Sequence, residues 1–330
     1  MMKKLEAPSI GDVRLSDGVL ALRQKKALTS TIPSAIKKAE DSGRIASFDL
    51  VNYHGLREYF WDSDTAKILE GIAYALKLEK NDELQKTFEK WVDQIVSCQQ
   101  EDGYLNSYIS GAVPENRWKS LNRIHELYCA GHLIEAAIAG RDLPGGEKLF
   151  QAMCRYADYI DSVFGLEEGK RRGWPGHEEI ELALIKLYRV TGNERYLKLA
   201  SYFINDRGTS PNVFPEDEWQ YEIMRGIRQA DKPVREQQDA QGHSVRAVYL
   251  YSGMADTAYE TDDAELLAHC EKLFDSICNK RMYITGGIGS THIGEAFTVD
   301  YDLQNERAYT ETCATLALAL FCQRMSRLKA

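Results

Sequence analysis

No run of apolar residues in this 330-residue sequence is long enough to span a bilayer. The basic start "MMKKLEAPSIGDVRLSDG" has no apolar stretch behind it that would make a secretory leader. Both absences predict a cytoplasmic chain with no membrane partner. A basic block is missing too, because 41 Lys and Arg are dispersed among 50 Asp and Glu for a net charge of −9. Nucleic acid and anionic lipid surfaces are therefore not expected partners. Cysteine is sparse and odd in number: the seven (Cys98, Cys129, Cys154, Cys270, Cys278, Cys313 and Cys322) sit mostly in apolar, helical stretches. That pattern excludes a disulfide framework and predicts reduced core thiols.

What is present suits a large folded core: 44% of residues are hydrophobic, 28% are charged, and no tract is of low complexity. Residues 1–30 alternate short β-like pieces such as "DVRLSDGVLAL" with turn residues, and a helix is expected at "PSAIKKAEDSGR". From Asp62 onward the pattern is helical and repeats, each pair joining an apolar helix through a short polar turn to an amphipathic one. The first helix of each pair is expected to be buried on all sides, with the second covering it. The anchor glycines Gly71, Gly131, Gly176 and Gly242 are spaced 60, 45 and 66 apart, too irregular for a tetratricopeptide array. Long aromatic and charged loops precede the inner helices, as expected of a substrate rim. The expected architecture is an all-α, (α/α)6-type helical toroid over residues 31–330, with a short β-like segment before it.

Three sets of residues carry candidate chemistry. In "GGIGS", residues 286–290, neither the lysine nor the helix of a phosphate loop follows, so nucleotide binding is discounted. A turn, or a backbone that approaches a ligand closely, remains open. His132, His177 and His243 each follow a glycine at or near the start of an inner helix, and His125 precedes His132 by seven residues, about two turns. In a toroid such helix starts converge on one pocket, and imidazoles there suit sugar hydroxyls, which both donate and accept. Glu295 and Glu311 could serve as paired glycosidase carboxyls. Equally, Glu311 and Cys313 offer two ligands to a zinc that wants about four, or Cys313 is simply a thiol at a buried helix start. An acidic start to so apolar a helix as "ETCATLALAL" calls for a partner.

Taken together, "DSDTAKILEGIAYAL", "DGYLNSY", "HELYCAGHLIEAA", "GHEEIELALIKLYRVTGNERYL", "GHSVRAVYLY" and "YITGGIGS…GEAFTVDYDLQNERAYTETCA" resemble glycoside hydrolase family 127, the β-L-arabinofuranosidases. The resemblance runs in order from about residue 30 to the end. It implies a retaining glycosidase for L-arabinofuranosides or related plant-wall furanosides, with an oligosaccharide or glycoside as partner. It also implies Glu295 as general acid/base, Glu311 and Cys313 as Zn2+ ligands, and His125, His177 and His243 as sugar contacts, leaving His132 a structural role.

The family further implies two adjacent cysteines, one of them the nucleophile, and no such pair occurs here. Cys322 is a poor substitute, lying about 13 Å of helical rise from Cys313. Hence the expectation of a front part of a longer enzyme, lacking the nucleophile, half of the zinc shell, the last helices of the toroid and the family's β-sandwich domains. Such a form would expose apolar flanks and associate into a homodimer. Two departures concern the sugar: Gln304 stands where the family commonly has Leu-Pro before Asn305, and Ala35 lies near the place of a sugar-binding glutamine. Other readings are a truncated, non-catalytic sugar-binding protein and an epimerase or lyase on a similar toroid.

Overall fold

A computed structural model gives the structure of residues 8–214 and 221–328. The backbone forms two compact units that divide between Val163 and Phe164. The first contains α1 (Gly18–Lys26), α2 (Ile32–Asp41), α3 (Trp61–Leu78), α4 (Asp82–Ser97), α5 (Ser107–Ala112), α6 (Glu126–Gly140) and α7 (Gly146–Val163). The second contains α8 (Ile180–Thr191), α9 (Glu194–Asp206), α10 (Tyr221–Ile227), α11 (Ser244–Thr261), α12 (Ala264–Lys280) and α13 (Thr312–Leu328). The expected hairpins appear as α3/α4, α6/α7, α8/α9 and α11/α12.

In the first unit α3 lies against α6, while α4 and α7 pack on each other and on those two. Asn81 starts α4 by accepting the Leu84 amide at 3.0 Å, and Phe88, Trp91, Val92 and Ile95 then fall on one buried face at helical spacing. The rich supply of Ala and Gly in α6 lets its partners come close. A Cβ at Gly140 would stand 2.5 Å from the Phe88 ring, so Gly140→Ala would push the two helices apart.

In the second unit α11 is central, touching α8, α9, α12 and α13, with 15 of its 18 residues buried. That is the inner helix the sequence predicts. A buried ion cluster ties it to its neighbours: Asp256 holds Arg324 of α13 at 2.5 Å and Arg189 of α8 at 2.9 Å.

Three expectations need correction. No strand occurs among the described residues, and Gly18–Lys26 is helical rather than β-like. Leu, Ala, Arg, Gln and Lys there are strong helix formers, and no α1 residue is buried, so nothing rewards a strand's alternating faces. Nor is α13 buried all round: Ala314, Ala317, Leu318 and Phe321 are covered, but Cys313 is exposed and Leu316 is 60% exposed. Finally, α6 begins at Glu126, so His125 is its N-cap residue and His132 lies two turns inside. Among the described residues no helix is long and apolar enough to cross a membrane.

Candidate active site

Glu295 sits on the connection between α12 and α13, held by the start of α11. The Phe297 amide donates to Gly242 O at 2.9 Å, and the Ser244 hydroxyl donates to Glu295 O at 3.0 Å. "GGIGS" supplies the other side. Gly289 has φ +88° and a Cβ there would stand 2.8 Å from the Ser244 hydroxyl, so its lack of a side chain serves close backbone packing. The Thr310 amide donates to Gly289 O at 2.9 Å, bringing the Tyr309–Glu311 segment alongside. Glu295 has φ +53°, a left-handed conformation costing a non-glycine residue about 1–3 kcal/mol. The surrounding contacts offset that cost and fix where the carboxylate points.

Both carboxylate oxygens are engaged. His243 Nε2 is 2.8 Å from Oε2, and the Tyr309 hydroxyl donates to Oε1 at 2.7 Å. The bond to His243 contributes most to pulling the Glu295 carboxyl down to about 2; partial burial opposes it and Tyr309 reinforces it. Reciprocally, the bond to Glu295 pushes the Tyr309 hydroxyl up to about 12. His243 is buried and its Nδ1 has no hydrogen-bond partner. Nε2 is therefore the ring nitrogen through which His243 meets Glu295.

Glu311 joins this group, since one donor atom each from His243, Glu295 and Glu311 lies within 4.8 Å of the others. Its Oε2 is buried and accepts no hydrogen bond, the partnerless acidic helix start that the sequence flagged. Cys313 follows on the exposed first turn of α13, and the Tyr309 hydroxyl lies in the field of both Glu311 and Cys313. A carboxylate with a free inner oxygen and an accessible thiol fit two positions of a zinc shell.

His177 is buried in the same unit, its ring 5.6 Å from that of His243 and 6.4 Å from Tyr249. Its Nδ1 is 3.1 Å from Glu178 O. His125 belongs to the other unit, packed edge-on between Tyr59 (4.9 Å) and Tyr128 (5.4 Å). In that unit Ala35 lines a cavity of about 690 Å³ together with Lys38, Arg44, Asp64 and Lys67. Gln304 contributes its carbonyl to the Tyr283 hydroxyl, 3.2 Å away.

Sequence reasoning missed Tyr309 and Glu178. Tyr309 stands two residues before Glu311 in "AYTETCA", but nothing in its spacing marks a tyrosine as a carboxylate's donor. Glu178 is fully buried, 2.9 Å from the equally buried Arg207, and Arg246 donates to Gly176 O at 3.0 Å nearby. Burial pushes the Glu178 carboxyl up to about 7, against the pull of Arg207. Desolvation lowers the Arg246 guanidinium to about 10, with Glu178 opposing. The double Glu in "GHEE" was the available signal.

Comparison with known proteins gives the family of the chain. Residues 12–330 match the β-L-arabinofuranosidase, GH127 catalytic domain family, and the chain belongs to it. It is 42% identical over 290 residues to a non-reducing end β-L-arabinofuranosidase of Bifidobacterium longum subsp. longum, a match covering 83% of this chain and 43% of the relative. The crystal structure of a GH127 β-L-arabinofuranosidase from Geobacillus stearothermophilus T6 superposes with a TM-score of 0.89 at 41% identity, covering 96% of this chain and 53% of that one. A second GH127 β-arabinofuranosidase structure gives 0.88 at 35%, covering 97% and 51%. The chain thus has the helical toroid fold of its family, and it spans about half the length of these relatives.

Proposed function

We propose that this chain is the glycosidase catalytic region of an enzyme acting on β-L-arabinofuranosides, with Glu295 as the proton carrier. The observation that carries this reading is the doubly held carboxylate of Glu295, fixed by His243 and Tyr309 on a strained backbone. Such a group can be placed within reach of a glycosidic oxygen with little reorganisation.

In the free site the carboxyl is ionised, the form that takes a proton from water. To give one to a leaving oxygen it must first be protonated. Substrate that excludes water and displaces the His243 or Tyr309 donor raises its proton affinity and supplies that condition. His243 can hold a sugar hydroxyl or the carboxylate, and His177, its ring 5.6 Å from that of His243, suits a second hydroxyl. His125, set among tyrosines in the other unit, is proposed as a sugar contact by itself. Glu311 and Cys313 would hold Zn2+, which when bound lowers the pKa of a ligating thiol and fixes the thiolate in place. No residue of this chain is assigned as nucleophile.

The test is Glu295→Gln in a form of the enzyme extended to the length of its relatives, so that a nucleophile is supplied. Hydrolysis of an alkyl β-L-arabinofuranoside should fall by at least about 100-fold, whereas an aryl glycoside with an acidic leaving group should lose far less in its first step. Undiminished turnover of the alkyl glycoside by the variant overturns the assignment. Sugar binding without turnover by that extended form replaces the catalytic reading with a sugar-binding one.

A further inference from the structure

Arg246 lies on the first turn of α11, three residues after His243, and its side chain reaches the loop that carries His177. Its Nη1 donates to Gly176 O at 3.0 Å. The carbonyl one residue earlier, Pro175 O, accepts from Nη2 of the buried Arg207 at 2.7 Å. Two successive carbonyls are thus tied down just before His177, and the second is tied to the helix that starts at His243. The two imidazole rings meet with centroids 5.6 Å apart at 65°. Arg246 holds this place at a cost, because its Nε is buried with no hydrogen-bond partner among the described residues. A side chain kept for stability alone would not leave a buried donor unmet. We propose that Arg246 is a positioning residue: it sets the His177 ring at the distance from His243 at which the pair holds two hydroxyls of one sugar ring. The proposal rests on the reading of both histidines as sugar contacts.

One hydrogen bond can matter this much because His177 stands outside any helix, α8 beginning only at Ile180. No helical backbone fixes its ring. Arg207, the residue that ends α9, holds the loop from one side, through Pro175 O and through the Glu178 carboxylate at 2.9 Å. Arg246 holds it from the α11 side. His243 is fixed separately, its amide donating to Ile227 O at 3.0 Å and its Nε2 lying 2.8 Å from Glu295. Without the Arg246 bond the loop keeps its attachment to the end of α9 and loses its register against α11. His177 should then move relative to a stationary His243, while α8 and α11 stay packed along their length.

The experiment reads the ring contact first, by NMR of the full chain with labelled histidine. A nuclear Overhauser effect is expected between the His177 and His243 rings of the unmodified chain and should vanish in Arg246→Met. The thermal midpoint of that variant should stay within about 3 °C, because an apolar chain of similar length replaces a buried charge. Arg246→Lys keeps a single donor of similar reach and should restore the effect. Arg246→Gln, too short to reach Gly176 O, serves if circular dichroism shows the Met variant unfolded. In the form extended to the length of its relatives, Arg246→Met should raise KM for methyl β-L-arabinofuranoside about 10-fold and lower kcat less than about threefold. Adding His177→Ala to it should cost little more, since both act on one contact. A ring contact that survives Arg246→Met, or losses from the two substitutions that add in full, would overturn the proposal. If the unmodified extended form neither binds nor cleaves this sugar while the ring contact still depends on Arg246, the sugar reading fails and the positional assignment stands.

Discussion

Tyr309 and His243 each take one oxygen of Glu295, at 2.7 and 2.8 Å, so the carboxylate has no free rotation and no free lone-pair face toward either partner. Removing one donor tests how much of the low pKa each supplies. Tyr309→Phe should move the Glu295 titration upward from about 2 toward the ordinary 4.5, by roughly one unit, read from its carboxyl carbon shift in NMR. The sign extends to stability. The folded value lies below the unfolded one, so the contribution is present above about pH 4.5 and lost as pH falls toward 2. Urea unfolding across that window should be less pH-dependent in the variant. An unchanged titration would mean that His243 alone sets it.

Glu178 has the opposite sign. Its folded value of about 7 exceeds the ordinary 4.5, because burial disfavours its charge more than Arg207 and Arg246 restore it. The protein should therefore lose stability as pH rises from 4.5 to 7, by on the order of 3 kcal/mol from this group alone. Glu178→Gln stays neutral and leaves Arg207 with Glu181 at 3.3 Å, so its thermal midpoint should lack that slope and overtake the unmodified chain near neutrality. Parallel curves for the two proteins would refute the assignment.

These two carboxylates show what the sequence could and could not reveal. Hairpin order was legible because small-residue inner helices and striped outer helices differ in composition, as α11 and α12 do. Glu295, Glu311 and Cys313 were marked as candidates through family motifs, not through spacing. Tyr309 and Glu178 were hidden, because their roles depend on a carboxylate partner 14 residues away and on an arginine 29 residues away. The helical α1 was misread because alternation alone cannot say whether a buried face exists.

The cluster around Asp256 predicts a structural loss distinct from any effect on chemistry. Asp256 is buried and would be costly to ionise there, yet Arg324 and Arg189 outweigh burial and hold its carboxyl below the usual range. Asp256→Ala would leave two arginines facing the vacated site, with Arg189 keeping Glu260 at 2.6 Å and the Tyr259 ring at 5.4 Å. Thermal unfolding should register about 3–5 kcal/mol of lost stability. Arg324→Met should cost less, because it removes a charge instead of stranding two. If Asp256→Ala unfolds like the unmodified chain, water reaches this cluster and the helices are held by apolar contacts alone.

Metal content separates the zinc reading from that of a bare carboxylate pair. Glu311 keeps a buried oxygen with no hydrogen-bond partner, which costs stability unless a cation or a proton meets it, and Cys313 lies two residues on. Protein purified without chelators should bind zinc with loss of free Cys313 thiol. Glu311→Ala and Cys313→Ala should each weaken binding by at least about 10-fold, read by equilibrium dialysis and elemental analysis rather than by activity. Because the thiolate is the ligand, affinity should rise with pH through the thiol's titration and a proton should be released on binding. Glu311→Gln distinguishes the two readings: it keeps the hydrogen-bonding shape but loses the charge, so it should lose zinc as Glu311→Ala does. Zinc affinity equal to that of the unmodified chain in both Glu311 variants would remove Glu311 from the metal shell and leave its buried oxygen as a partner for substrate.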